Sequence, residues 1–171
     1  MSKMLISLLC LLLCTACGGA LAGELKKRRE VLETLSRDIR SIRTWAAFDR
    51  LPLRELFHRL ENSGLYPLWQ MAAEQSGKGE ERFEAHWRSC VCLERRGRLS
   101  CLAEEETQLL LEFGIRLVAS ADMDAQLRQI DRTLEHLDGC IKEARETEQK
   151  KSRLIRSLGA MGGLAITIIL W

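Results

Sequence analysis

Prolines and aromatic residues are scarce in this chain, and its charges nearly cancel. Only 2 of its 171 residues are proline and 5% are aromatic, while 26 basic residues accompany 24 acidic ones. Few prolines, together with abundant Leu, Glu, Arg and Ala, predict an all-α fold. A near-neutral chain lacks the basic excess of a general nucleic-acid surface, so we expect no nucleic-acid partner.

Catalytic motifs are also missing. The sequence contains no P-loop, no dinucleotide-binding fingerprint and no H-E-x-x-H pair. His58, His86 and His136 lie on helical sequence, and none has a Ser or Cys nucleophile in a recognised motif nearby. We therefore expect no enzymatic activity, no catalytic residue and no cofactor.

Charge is nearly absent from both ends of the chain. Met4 to Ala22 meets the roughly 20 apolar residues that a spanning helix needs. Leu158 to Trp171 reaches that length when Leu154 and Ile155 are added. The sequence thus predicts an antiparallel helical bundle held between two transmembrane helices. The segments are 1–23 (N-terminal transmembrane segment), 24–150 (cytoplasmic helical domain) and 151–171 (C-terminal transmembrane segment).

Basic residues lie beside both apolar runs, on the side of the middle region. They are Lys26, Lys27, Arg28, Arg29, Lys150, Lys151, Arg153 and Arg156. Because cytoplasmic flanks of membrane segments carry excess Lys and Arg, these clusters predict a cell-membrane protein whose middle region is cytoplasmic. Anionic lipid headgroups are the expected partners of the clusters.

A different topology follows if the first apolar run is a secretory signal. Ala20-Leu21-Ala22 fits an A-x-A cleavage site, and Cys14-Thr15-Ala16-Cys17 offers a lipid-modified Cys17. The alternative interpretation is therefore an exported lipoprotein, or a membrane-anchored receptor or adaptor, with the helical domain outside the cytoplasm.

Two apolar stripes predict long helices at the ends of the middle region. The first stripe comprises Leu32, Leu35, Ile39, Ile42 and Ala46, and the second comprises Met123, Leu127, Ile130, Leu134, Leu137, Ile141 and Ala144. Their 3,4 spacing is typical of coiled-coil contacts, and we expect the two helices to pair antiparallel. Ser120 or Asp122 can cap the second helix.

Four shorter helices are predicted between the long ones. The first begins near Pro52 and the second at Tyr66-Pro67. The third surrounds Trp87, and the fourth spans Leu102 to Leu117. For Ser89 to Leu102 we favour a helix end plus loop over a short β-hairpin. Glu104-Glu105-Glu106 is expected to be a solvated first helical turn.

The middle region has four cysteines, and three of them lie near a histidine. His86, Cys90, Cys92 and Cys101 have a ligand count that zinc accepts, but a single C-x-C is tight for a tetrahedral site. We favour reduced thiols and no metal site, with zinc and a disulfide as the alternatives.

Small residues mark one face of the second apolar run. Gly159 and Gly163 form a G-x3-G pair, with Gly162 beside it. Because small residues allow close helix approach in a membrane, we expect a helix-packing or partner interface here, either with the first span or with another protein.

The chain resembles the stage III sporulation protein AB family over its full length. The most specific match is the run Lys151-Ser-Arg-Leu-Ile-Arg-Ser-Leu-Gly-Ala-Met-Gly-Gly-Leu164. Weaker matches are the Pro52-Leu53 helix start, Trp87 and the helix-start pair Asp122 and Gln126. Val118-Ala119-Ser120-Ala121 departs from the family's Leu-Gly-x-Ser, so Ser120 is expected to contribute the cap.

This resemblance implies a role in endospore formation. The family acts in a channel-like complex between mother cell and forespore, and its domain is similar to the F protein of type II secretion systems. The resemblance therefore implies a scaffold in the mother-cell membrane facing the forespore. The implied partners are other stage III sporulation proteins, especially the cytoplasmic ATPase, protein AA, and self-association is also open.

Overall fold

The computed structural model describes the backbone of residues 2–49, 51–120 and 122–170. Side chains are described there except at 2–18, 21, 156, 158–160 and 162–170. The described residues form six helices and no strand, which confirms the predicted all-α fold. The helices are α1 (Ser2–Asp49), α2 (Leu53–His58), α3 (Tyr66–Gln75), α4 (Glu80–Arg95), α5 (Glu104–Ala119) and α6 (Met123–Leu170).

The chain divides into two compact units. One comprises Met1–Arg29 with Lys142–Trp171, and the other is Glu30–Ile141. The predicted spans belong to the first unit, where most of their side chains lie outside the described residues. Among the residues that are described, no helix is long and apolar enough to cross a bilayer. The two transmembrane helices therefore stay a prediction.

The second unit buries the predicted stripe of α1. Leu32, Leu35, Ile39, Ile42 and Ala46 are each at most 2% exposed. On α6, the predicted residues from Ile130 to Ile141 are buried as well, whereas Met123 and Leu127 are only partly covered. Burial of one apolar stripe on each long helix supplies the main driving force for their association.

Ion pairs show the direction in which α1 and α6 pair. The guanidinium of Arg40 donates to both carboxylate oxygens of Asp138 at 2.8 Å. Arg43, one turn further along α1, pairs with Asp131, which lies two turns earlier on α6. Since the chain numbers run in opposite senses across these two pairs, the helices are antiparallel.

Prolines and glycines lie at the ends of the short helices, as the sequence predicts. Pro52 directly precedes α2, and Pro67 lies in the first turn of α3, where its missing N–H is harmless. Between α3 and α4, Gly77 and Gly79 have φ of 90° and 106°, a left-handed conformation that favours glycine. The region after Ser89 is the end of α4 followed by a turn, so the β-hairpin alternative is wrong.

One detail at the start of α5 differs from expectation, and one of the two caps predicted for α6 is confirmed. Glu106 is only 3% exposed, because its Oε2 accepts the Ala103 N–H at 2.7 Å and so closes the start of α5. Only Glu104 and Glu105 are solvated there. At α6, the Oδ1 of Asp122 accepts the Ala125 N–H at 2.5 Å, while the Ser120 hydroxyl instead donates to the Arg116 carbonyl.

Candidate interaction surfaces

Asp38 is a buried carboxylate within the apolar stripe of α1. It is 4% exposed, and its Oδ2 accepts the Ser63 hydroxyl at 2.5 Å and the Trp69 indole N–H at 2.7 Å. Burial raises the pKa of Asp38 above its ordinary value, although the hydrogen bonds from Ser63 and Trp69 and the charge of Arg37 oppose that shift. The carboxylate thereby ties α1 to α3 and to the turn before it.

Trp69 belongs to a column of four stacked aromatic rings in the second unit. Trp69 stacks on Phe57 with ring centroids 5.8 Å apart and on Trp87 at 6.1 Å. Trp87 in turn stacks on Phe83 at 6.0 Å, and all four rings are almost fully buried. The column thus joins α2, α3 and α4, and aromatic pairs of this kind add to the free energy gained from buried area.

Gly114 lets α5 approach the last tryptophan of that column. The Trp87 indole N–H donates to the carbonyls of Leu110 and Leu111 at 3.3 and 3.2 Å. A Cβ placed on Gly114 would lie 2.3 Å from Trp87 Nε1. The hydrogen bonds to α5 therefore require a residue without a side chain at this position.

Asp38 and Gly114 were not predicted from the sequence, although each has a visible signal there. Asp38 follows Leu35 by three residues and precedes Ile42 by four, so it lies in the apolar stripe where a carboxylate is unexpected. Gly114 interrupts a helical pattern, where glycine is less favourable than alanine by about 1 kcal/mol. Both residues make contacts in the interior of the helical unit, so neither is a candidate for a surface that binds a partner.

Of the four described cysteines, Cys90 and Cys92 are free thiols, while Cys101 and Cys140 also interact with other groups. Cys90 is buried, and burial raises its pKa to about 11, with Glu74 and Glu94 adding to the shift. This thiol is protonated near neutral pH and is a poor nucleophile or metal ligand. Cys92 is exposed, while Cys101 and Cys140 are partly covered.

The possible zinc ligands are not gathered into a site. Within the part of the chain that is described, no three His, Cys, Asp or Glu side chains lie close enough to hold a metal ion. The Nε2 atom of His86 is buried and has no hydrogen-bond partner among the described residues. The arrangement therefore gives the zinc alternative no support from geometry.

The predicted basic clusters are partly engaged with carboxylates of the same chain. Lys27 pairs with Glu24 at 2.8 Å and Lys150 with Glu146 at 3.5 Å, both on exposed helix surface. Such exposed pairs contribute little stability. Lys151 and Arg153 are exposed, Lys26 and Arg28 also interact with other groups, and the side chain of Arg156 lies outside the described residues.

The first unit contains an open polar groove beside these clusters. Its volume is about 860 Å³, and its lining includes Arg29, Arg145, Lys150 and Arg153 with one carboxylate, Glu148. Arg29 Nε donates to the Glu148 carboxylate at 2.6 Å, and both side chains are about three-quarters covered. The groove therefore carries a positive excess, which suits an anionic group.

The remaining predicted site residues divide into two groups. Gly159, Gly162 and Gly163 lie outside the residues whose surroundings are described, so their helix-packing role stays a prediction. Asp122 and Gln126 occupy the start of α6, where the Gln126 N–H donates to the Asp122 carbonyl at 3.0 Å. That pair has an architectural place at a helix terminus, and the structure assigns it no binding role.

Comparison with known proteins identifies one family. Residues 3–171 match the family described as stage III sporulation protein AB. No curated protein and no solved structure matches the chain significantly. The matched range includes both apolar runs and the whole helical unit between them.

Proposed function

Because the chain belongs to the stage III sporulation protein AB family, we propose that it is a platform subunit of the mother cell–forespore channel complex in endospore formation. The family places it in sporulation. We further propose that its helical domain docks the cytoplasmic secretion-type ATPase, stage III sporulation protein AA. The match over residues 3–171 carries the proposal, because it includes the predicted membrane segments together with the domain.

The interior of the second unit suits a mechanical role. A subunit that relays motion must move as one body, and close-packed cores transmit displacement because they are nearly incompressible. Here the column of stacked rings joins α2, α3 and α4, and the Asp38 hydrogen bonds attach α3 to α1.

The basic groove of the first unit supports attachment to a membrane surface. Arg29, Arg145, Lys150 and Arg153 bring four cations around one carboxylate, and anionic lipid headgroups attract such juxtamembrane clusters. We propose that these residues contact headgroups of the mother-cell membrane facing the forespore. Their contact with lipid is independent of any contact between the helical domain and the ATPase.

Binding of the ATPase to reconstituted chain tests the proposal. The full chain is placed in proteoliposomes, purified protein AA is added, and sedimented ATPase is measured against empty liposomes of the same lipid composition. We expect saturable binding to the proteoliposomes and much weaker binding to lipid alone. Equal binding to both would remove the docking role, since the ATPase would then need only the membrane.

A further inference from the structure

The turn between α4 and α5 presents arginines from a fixed backbone. The N–H groups of Gly97 and Leu99 both donate to the Glu94 carbonyl at 2.9 Å, and the Leu99 side chain is fully buried. This anchor holds Arg96 and Arg98 in the turn, directly after Arg95, the last residue of α4. All three arginine side chains are exposed.

Carboxylates lie at the same end of the α4–α5 pair. The first turn of α5 contains Glu104 and Glu105, and both are exposed. Between the two helix ends the chain has only the short turn 96–103, and α4 packs directly against α5. One end of this helical hairpin therefore carries three positive and two negative exposed side chains.

These opposite charges do not neutralise one another within the chain. Arg95, Arg96, Arg98, Glu104 and Glu105 form no ion pair within 4.0 Å among the described residues. Elsewhere on the same helices, Arg88 pairs with Glu84 and Arg116 with Glu112, each at 2.9 Å. Exposed charges on α4 and α5 thus pair where the helical spacing allows it and stay unpaired at this end.

An apolar side chain accompanies the arginines. Leu93, in the last turn of α4, is 61% exposed, and Cys92 next to it is exposed too. Protein interfaces combine such apolar contacts with complementary charges, since the charges select the partner and the apolar contact supplies affinity.

We propose that this end of the α4–α5 hairpin binds a second copy of the same chain. In a two-fold interface the same patch meets itself, so it must contain both members of every contact. Arg95, Arg96 and Arg98 of one copy face Glu104 and Glu105 of the other, with Leu93 buried between them. A partner of a single charge sign would meet like charges on one half of the patch.

Two charge-reversed variants of the full-length chain, tested with two different tags, probe this proposal. One variant carries Arg95→Glu, Arg96→Glu and Arg98→Glu, and the other carries Glu104→Arg and Glu105→Arg. Self-association is measured by co-capture of the second tag from detergent solution and from membranes. Each variant alone should associate with itself about tenfold more weakly or worse, because like charges then face each other. A mixture of the two variants should associate at least as well as the wild type.

A matched control separates pairing from loss of structure. Glu80→Arg with Glu81→Arg reverses two exposed carboxylates in the first turn of α4. These residues begin α4 as Glu104 and Glu105 begin α5, but they lie at the end of α4 that is opposite to Arg95. This control should self-associate like the wild type. Melting temperatures of all variants are compared, so that an unfolded chain is recognised.

Three results would overturn the proposal, and none depends on the ATPase. The first is a wild-type chain that does not self-associate. The second is self-association that neither variant weakens. The third is weakening by the arginine variant without recovery in the mixture, which would instead assign the arginines to an acidic partner or an anionic surface.

Discussion

Gly114 shows how a single missing side chain determines the contact between α4 and α5. We expect Gly114→Ala to lower the free energy of unfolding by about 1–3 kcal/mol, because its Cβ overlaps the rigid Trp87 ring. Urea denaturation of the detergent-solubilised full chain measures the change. Gly139→Ala is the matched control, since its added Cβ would meet open space among the described residues outside its own helical turn.

The control is expected to change stability in the other direction. Gly139 lies within α6, where alanine is a better helix former, so Gly139→Ala should raise the free energy of unfolding by about 0.5–1 kcal/mol. Equal stabilisation of both variants would contradict the close approach of Gly114 to the Trp87 ring.

The raised pKa of Asp38 predicts how the free energy of unfolding changes with pH. Its pKa is raised in the folded chain, so the folded state holds this proton more tightly than the unfolded state. The resulting stability is fully present below the ordinary pKa of the carboxyl and is lost as the pH rises through the raised value. Asp38→Asn cannot titrate. The free energy of unfolding of Asp38→Asn, minus that of the wild type, should therefore increase from acidic to neutral pH.

A second variant at this position isolates the hydrogen bonds from the charge. The asparagine carbonyl can still accept from Ser63 and Trp69, whereas Asp38→Ala leaves the buried Trp69 N–H without its acceptor. We expect Asp38→Ala to lose about 1–3 kcal/mol at neutral pH relative to Asp38→Asn. Chemical denaturation of the two variants at several pH values measures both effects. A constant difference between Asp38→Asn and the wild type would contradict the raised pKa.

Among the elements, α1 and α6 associate through apolar burial, and their ion pairs add little to that association. Ile39 is 1% exposed, so we expect Ile39→Ala to lower the free energy of unfolding by about 2–5 kcal/mol. The Arg40–Asp138 pair is more than half exposed, so Asp138→Ala should lower it by less than about 1 kcal/mol. Comparable losses from the two variants would show that electrostatics holds these helices together.

Helix positions were predictable from the sequence because they depend on local chemistry. The 3,4 spacing of Leu32, Leu35 and Ile39 predicts the buried face of α1, and Pro52 and Pro67 predict where α2 and α3 begin. Contacts across the fold were not predictable in this way. The acceptor role of Asp38 depends on Trp69, which is 31 residues away, and burial of Glu106 depends on a backbone N–H that no side-chain pattern reveals.

For the whole molecule, the side of the membrane on which the helical unit lies decides between platform and lipoprotein. The basic clusters flanking both apolar runs predict a cytoplasmic unit, whereas lipid attachment at Cys17 predicts an exported one. Gly97 is exposed in the turn after α4, so a protease site inserted there should be cut readily wherever the protease has access.

Protease treatment of intact spheroplasts that carry this insertion measures the topology. We expect protection until the cells are lysed, because the membrane separates a cytoplasmic unit from the protease. Lysed cells provide the control that the inserted site can be cut at all. Cleavage in intact spheroplasts would place the unit outside and exclude docking of a cytoplasmic ATPase. In that case, lipid labelling that disappears in Cys17→Ser would identify the chain as a lipoprotein, while labelling that persists would leave a receptor anchored through its apolar runs.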